Sequence, residues 1–225
     1  MIPLRDTIPS KTFPIVNVTI IVVNIIIFGF EFLMPESELT KFIFTYGFIP
    51  LNATQEGGLN NLFPLFTSMF LHGSWMHLFS NMLALFIFGD NIEDTMGHQG
   101  YLTFYVLGGV VAGLSHYWFS PLSAIPVVGA SGAISAVLGA YLILFPHSKI
   151  LTLIPLFVIF YTVEIPAAVY LIFWFVSQLF NGTMALTSDV ASGGVAWWAH
   201  VGGFIAGFVL VWVFIVPLNY GYEDN

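Results

Sequence analysis

Long apolar runs alternate with short polar punctuation along this chain. Six of the runs are apolar and long enough for helices, roughly Phe13–Leu33, Trp75–Phe88, Tyr101–Phe119, Ser131–Phe145, Val163–Phe180 and Trp197–Val216. A long loop joins the first two, and its part Ser37–Pro50 is amphipathic, as expected of a segment lying in the membrane interface. The mixed stretch Lys149–Tyr161, which holds Pro155, fits either an interfacial loop or the start of the fifth helix. No sequence repeat, low-complexity tract or second domain breaks the pattern. Residues 1–225 therefore read as one all-α membrane domain.

Composition turns the pattern into a class. The 225 residues are 58% hydrophobic and only 7% charged, against the ~25% charged usual in soluble domains. A soluble core of this length cannot hide so much apolar surface, so a polytopic membrane protein is expected. Cysteine is absent, which removes disulfide and thiol chemistry. A net charge of −8 speaks against nucleic acid as a partner. The start, MIPLRDTIPSKTF, has no small-residue cleavage site after its apolar run, so the first span is expected to be retained.

Orientation rests on four basic residues. Arg5 and Lys11 precede the first span, Lys149 follows the fourth, and Lys41 lies in the first loop. An inside N-terminus puts three of them in the cytoplasm, as the positive-inside rule prefers. Helices two, four and six then begin at the outer face.

Length gives Ser131 a depth. Ser131–Phe145 is 15 residues, roughly 22 Å of helix at ~1.5 Å per residue, and the hydrocarbon core is ~30 Å thick. If the lower end of this helix reaches the cytoplasmic side, Ser131 lies well below the outer surface, and SAIPVVGA before it is irregular backbone at membrane depth. Such backbone persists only when buried in protein or lining a wet cavity. Ser131 alone also fits a helix N-cap or a small packing residue.

The sixth helix changes that balance. It reads WWAHVGGFIAG over 197–207 and places His200 just inside the outer end. A histidine within a span is costly and points to function, although His200 beside Trp197 and Trp198 also fits an interfacial position. His200, Gly203 and Gly207 share one face, and Ser131, Ser135 and Gly139 form a matching small-residue strip on the fourth helix. Two such strips let backbones approach closely and can bring imidazole to hydroxyl, as an activated serine nucleophile requires. At the start of the second helix, His77 and Asn81 are four residues apart, share a face and are both hydrogen-bond donors. They fit donors aimed at a developing oxyanion, or an interhelical hydrogen bond beside an interfacial histidine.

GASGA (129–133), HLFSN (77–81) and AHVGGFIAG (199–207), together with Gly89-x3-Glu93-x3-Gly97 and TYGFIP (45–50), closely resemble the rhomboid intramembrane serine proteases. The resemblance covers nearly the whole chain in the minimal six-helix form. It implies a compact six-span bundle with a long, partly interfacial first loop, and a Ser131–His200 dyad without a catalytic aspartate. It further implies an oxyanion hole from His77, Asn81 and the Ser131 backbone N–H. His72 matches a position that structures the loop above the site. Implied substrates are single-span transmembrane proteins, unwound near the outer end, in contact with membrane lipid; no metal or cofactor is needed. The expected location is a prokaryotic cell membrane, with a cytoplasmic N-terminus.

Two positions depart from the family pattern. Phe63-Pro64 stands where many members carry Trp-Arg, so the buried anchor of the first loop must differ. Ser135 stands where many carry a tyrosine packed against the histidine, so His200 must be oriented by other neighbours. Among other classes, a metalloprotease wants HExxH, which is absent, and an aspartyl protease wants a partner for Asp90. A transporter with His77, His116 and His200 as a relay would show paired broken helices. A catalytically inactive relative would lack Ser131 or His200. His98 and His147 read as loop residues and His116 as interfacial.

Overall fold

The structure, a computed structural model, describes residues 1–55, 63–156, 159–187 and 195–215. In chain order it contains β1 (Ile2–Asp6), α1 (Ile15–Leu33), α2 (Glu36–Tyr46), α3 (Pro50–Gln55), α4 (Phe63–Thr67), α5 (Trp75–Ala84), α6 (Asp90–Phe119), α7 (Ser131–Leu144), β2 (Lys149–Leu156), β3 (Ile159–Pro166), α8 (Ala167–Thr187) and α9 (Trp197–Phe214). A 3₁₀ turn at Ser68–Phe70 follows α4, and a π-helical turn at Leu85–Gly89 joins α5 to α6. Four helical runs among the described residues are long and apolar enough to cross a membrane: Ile15–Leu33, Trp75–Phe119, Ala167–Leu186 and Trp197–Phe214. Their outward faces carry Phe32, Leu33, Phe173, Trp212 and Val213, all exposed, as lipid-facing positions should be.

The all-α expectation is corrected by a three-stranded antiparallel sheet, ordered β1-β2-β3. Lys149–Tyr161 is neither interfacial loop nor helix start. Lys149 pairs with Pro166 and Leu156 with Ile159 in a hairpin, and β1 adds to it with Asp6 opposite Ile150. Both arms of the hairpin are rich in β-branched residues (Ile150, Thr152 and Ile154; Ile159, Thr162, Val163 and Ile165), which fit a pleated surface better than a helix. The fifth helix therefore starts at Ala167 rather than Val163, immediately after Pro166, and continues to Thr187.

The second and third helices also differ from expectation. The chain does not leave the helix at Phe88 and re-enter at Tyr101; it passes through the π-helical turn and bends at Gly97, with φ +69° and ψ 162°. That conformation favours glycine, which has no Cβ to clash. Between the turn and the bend, the buried Glu93 carboxylate accepts the backbone N–H groups of Val16 and Asn17 at 3.0 and 2.8 Å. These are orphan donors of the first turn of α1, so the carboxylate caps it and complements its positive end. The fourth helix ends at Leu144, one residue early, before Pro146. The expected end of the sixth at Val216 lies outside the described residues; the helix is described to Phe214.

The short α7 is the axis of the molecule, with every residue from Ala133 to Tyr141 buried. Its 14 residues give roughly 21 Å at ~1.5 Å per residue, less than the ~30 Å of a hydrocarbon core. It packs against α9 by backbone proximity. A Cβ on Gly203 would overlap the Gly132 carbonyl oxygen, one on Gly207 that of Ala136, and one on Gly139 that of Phe204. The two small-residue strips read from the sequence do meet.

Candidate active site

Ser131 is the first residue of α7, and the loop before it makes the site possible. Gly129 adopts φ +122°, again a glycine conformation, and its N–H donates to the Ser68 carbonyl at 2.8 Å. Two residues earlier, Val127 and Phe48 exchange backbone hydrogen bonds of 2.8 and 3.1 Å, so the first loop is stitched to the segment before Ser131. Phe48, Ala53 and Leu65 form the buried anchor beneath that stitch, whereas Phe63 is exposed. Leu65 and its neighbours therefore replace the anchor that Phe63-Pro64 does not provide.

Where α7 and α9 touch, His200 Nε2 lies 2.8 Å from Ser131 Oγ. The sequence placed these two residues 69 positions apart, and the helix contact at Gly203 and Gly207 closes that gap. Ser135 takes no part in holding the imidazole, since its hydroxyl donates to the Ser131 carbonyl at 2.6 Å. The ring is flanked instead by Trp174 and Trp197, with centroids 6.0 and 6.1 Å away. Its Nδ1 lies 2.8 Å from Gln178 Oε1 on α8.

His77 and Asn81 line the same cavity of about 500 Å³ as Ser131 and His200. Ser74 accepts the His77 backbone N–H at 3.2 Å and so starts α5 as its N-cap. Gly129 packs over both side chains; a Cβ there would lie 2.6 Å from the His77 ring and 3.6 Å from Asn81 Nδ2. Asn81 Nδ2 is also 2.9 Å from His72 Nε2, which ties the α5 site residues to the preceding loop. His116 is half-buried on α6 and does not line the cavity, so the described residues do not join it to His77 and His200 as a relay. His147 is exposed in a loop, but His98 belongs to α6 and contacts Glu93 at 2.5 Å.

Sequence reasoning missed two polar side chains here. Gln178, 7% exposed within an apolar helix, is one. The other is Glu31, buried on α1, which accepts the His72 N–H at 3.1 and 3.3 Å from its two oxygens. The signal was present: a carboxylate within a span is expensive and marks a fixed contact. Asn17, Asn24 and Glu31, at seven-residue spacing, mark the buried face of α1.

A serine hydroxyl on an imidazole, hydrogen-bond donors across a cavity and a wall of small residues can together perform acyl transfer. Comparison with known proteins gives the chain its family. The family model for the rhomboid domain matches residues 59–217, more than half of the chain. The mitochondrial Rhomboid protein 1 of Saccharomyces cerevisiae is 32% identical over 149 residues, covering 64% of this chain and 40% of that protein. RHOMBOID-like protein 1 of Arabidopsis thaliana is 31% identical over 161 residues, covering 72% and 36%. The chloroplastic Rhomboid-like protein 11 of the same plant is 32% identical over 152 residues, covering 65% and 50%. The chain thus spans half or less of the length of these relatives.

Proposed function

The chain belongs to the rhomboid family of multi-pass membrane proteins, and we propose that it is an intramembrane serine endopeptidase cleaving transmembrane segments of other membrane proteins. The observation that carries this reading is the 2.8 Å approach of His200 Nε2 to Ser131 Oγ at the wall of a cavity, between helices of a membrane protein. A catalytically inactive, substrate-binding member has no need of that contact.

The chemistry follows from the residues. His200 takes the Ser131 Oγ proton as the oxygen attacks a peptide carbonyl carbon, forming a tetrahedral adduct whose negative oxygen is met by His77 and Asn81. The Ser131 N–H joins them, because the first N–H groups of a helix have no partner within it. His200 then gives the proton to the leaving amine. Water, deprotonated by His200, releases the acyl group from Ser131 and restores both residues. An intact substrate helix hides its carbonyls in hydrogen bonds, so the substrate has to unwind locally before attack.

In this reading the protein is one domain with six spans, the bend at Gly97 separating the second from the third and α7 being the short fourth. The N-terminus stays in the cytoplasm. Supporting this, Arg5 and Lys149 lie on paired strands and Lys11 lies against Asp94, while Lys41 lies beyond the far end of α1. The prokaryotic cell membrane expected from the sequence finds no support in relatives named as mitochondrial or chloroplastic.

Purified protein incubated with a single-span reporter substrate tests the reading. Ser131→Ala and His200→Ala should each abolish cleavage, the double variant should be no worse, and a fluorophosphonate should label Ser131 only. Full cleavage by Ser131→Ala protein, free of contaminating protease, would end the proposal.

A further inference from the structure

Gln178 lies on α8, 22 residues before His200, and its side chain is buried. Its amide is held at both ends. On one side Nε2 donates to Ser177 Oγ at 2.9 Å and to the Trp174 carbonyl at 3.3 Å. On the other, Oε1 faces His200 Nδ1 at 2.8 Å. An amide oxygen only accepts, so Nδ1 must carry the proton, and a neutral imidazole protonated at Nδ1 bears its lone pair on Nε2. That lone pair points at Ser131 Oγ, 2.8 Å away. With the opposite tautomer, Nε2 would hold a proton and could not accept one from the hydroxyl.

We propose that Gln178 is a positioning residue for the serine hydrolase reaction: it holds His200 in the tautomer and ring orientation that accept the Ser131 proton. The inference rests on Ser131 and His200 acting as the dyad proposed above. It gives the base a third, orienting group, here neutral rather than a carboxylate. Such a group does two things in turn. Before attack it selects the tautomer. After proton transfer, when the ring is an imidazolium, its oxygen still accepts Nδ1–H and faces the new positive charge. Ser177 and the Trp174 carbonyl matter because they engage the amide nitrogen and keep the oxygen turned toward the ring. Trp174, one turn earlier on α8, flanks the same imidazole, so α8 supplies both the flanking ring and the acceptor.

The test compares three variants in the full-length protein. Gln178→Met and Gln178→Leu remove the acceptor with little change in volume, and Gln178→Glu, assayed at a pH where its carboxyl is ionised, keeps an oxygen acceptor for Nδ1. With a single-span reporter substrate, Met and Leu should lower kcat by about 10- to 100-fold with KM within about twofold. Fluorophosphonate labelling of Ser131 should slow in parallel, because that reaction reads nucleophile activation without substrate binding. Gln178→Glu should recover kcat to within about threefold of the parent. Met and Leu variants with parental kcat and labelling rate overturn the proposal. So does a loss confined to KM, a Glu variant as impaired as Met, or a defect present in only one of Met and Leu, each of which reports packing alone. Ser131→Ala, run beside them, separates the two readings. If it is inert while Gln178→Met cleaves normally, only the positioning role falls; if it cleaves like the parent, the dyad itself falls.

Discussion

Asn81 carries two N–H bonds on its amide, and one is committed to His72. The second remains for the cavity, which is what an oxyanion donor requires. The His77 ring meets the same His72 ring edge-on, with centroids 5.1 Å apart, while its backbone N–H and carbonyl serve Ser74 and Ser80. The two residues should therefore separate experimentally. His77→Ala and Asn81→Ala should each lower kcat by roughly 10–10³-fold, since each removes one donor among several. Asn81→Ala should lower the apparent thermal midpoint more than His77→Ala, because it alone removes the hydrogen-bond partner of the buried His72 Nε2. Parental rates in both would mean the donors are elsewhere. That Ser131, His200, His77 and Asn81 line one cavity was legible in the sequence, from polar groups that are costly inside apolar runs and from the motifs that carry the family resemblance. Gln178 and Glu31 are costly in the same way yet stayed unread. Their partners, His200 Nδ1 and the His72 N–H, lie on other segments at separations that no helical period encodes.

Helices were easier to read than their joints. Periodicity and length located the apolar runs, and small-residue spacing anticipated which faces of α7 and α9 meet. The sheet was missed for a physical reason: β2 and β3 are apolar runs interrupted by Pro155 without strict alternation, and β1 comes from a distant part of the sequence. Strand pairing of that range leaves no local signature beyond β-branched enrichment. The α7–α9 contact can be tested directly. Leucine at position 203 would place four carbons where the Gly132 carbonyl and Ser135 already stand. The helices must separate below His200, and even ~1 Å of misplacement can cost ~10²-fold in rate. Gly203→Leu should cripple cleavage and lower stability in detergent, whereas Val213→Leu, on an exposed position of the same helix, should do neither. If Gly203→Leu keeps parental rate and stability, the contact between α7 and α9 does not position the dyad.

At the scale of the whole molecule, segments distant in sequence are tied together away from the cavity that holds Ser131 and His200. The Tyr141 hydroxyl, near the end of α7, donates to Asp6 on β1 and lies 3.1 Å from Ser148 Oγ, just before β2. The axial helix is thus anchored to the sheet through one half-buried carboxyl. Burial pushes the Asp6 carboxyl up to about 6, with the Tyr141 hydrogen bond working against the shift and the nearby Asp90 charge adding to it. The sign follows from proton binding. Between about 4 and 6 the folded protein holds a proton at Asp6 that the unfolded chain has released, so this contribution to stability is complete below about pH 4 and lost as pH rises through 6. An asparagine at this position would mimic the neutral form and still accept from Tyr141. At a fixed heating rate in detergent, Asp6→Asn should therefore melt above the parent at about pH 7, and the gap should close by about pH 4. Other carboxyls tilt both curves equally, so the difference between the proteins isolates Asp6. Parallel curves across that range would show that Asp6 is ionised without penalty, and that the sheet is anchored to α7 by something other than a neutral carboxyl. Activity should follow the same ordering only near the melting range, because Asp6 lies at the far end of α7 from Ser131 and touches no reacting atom.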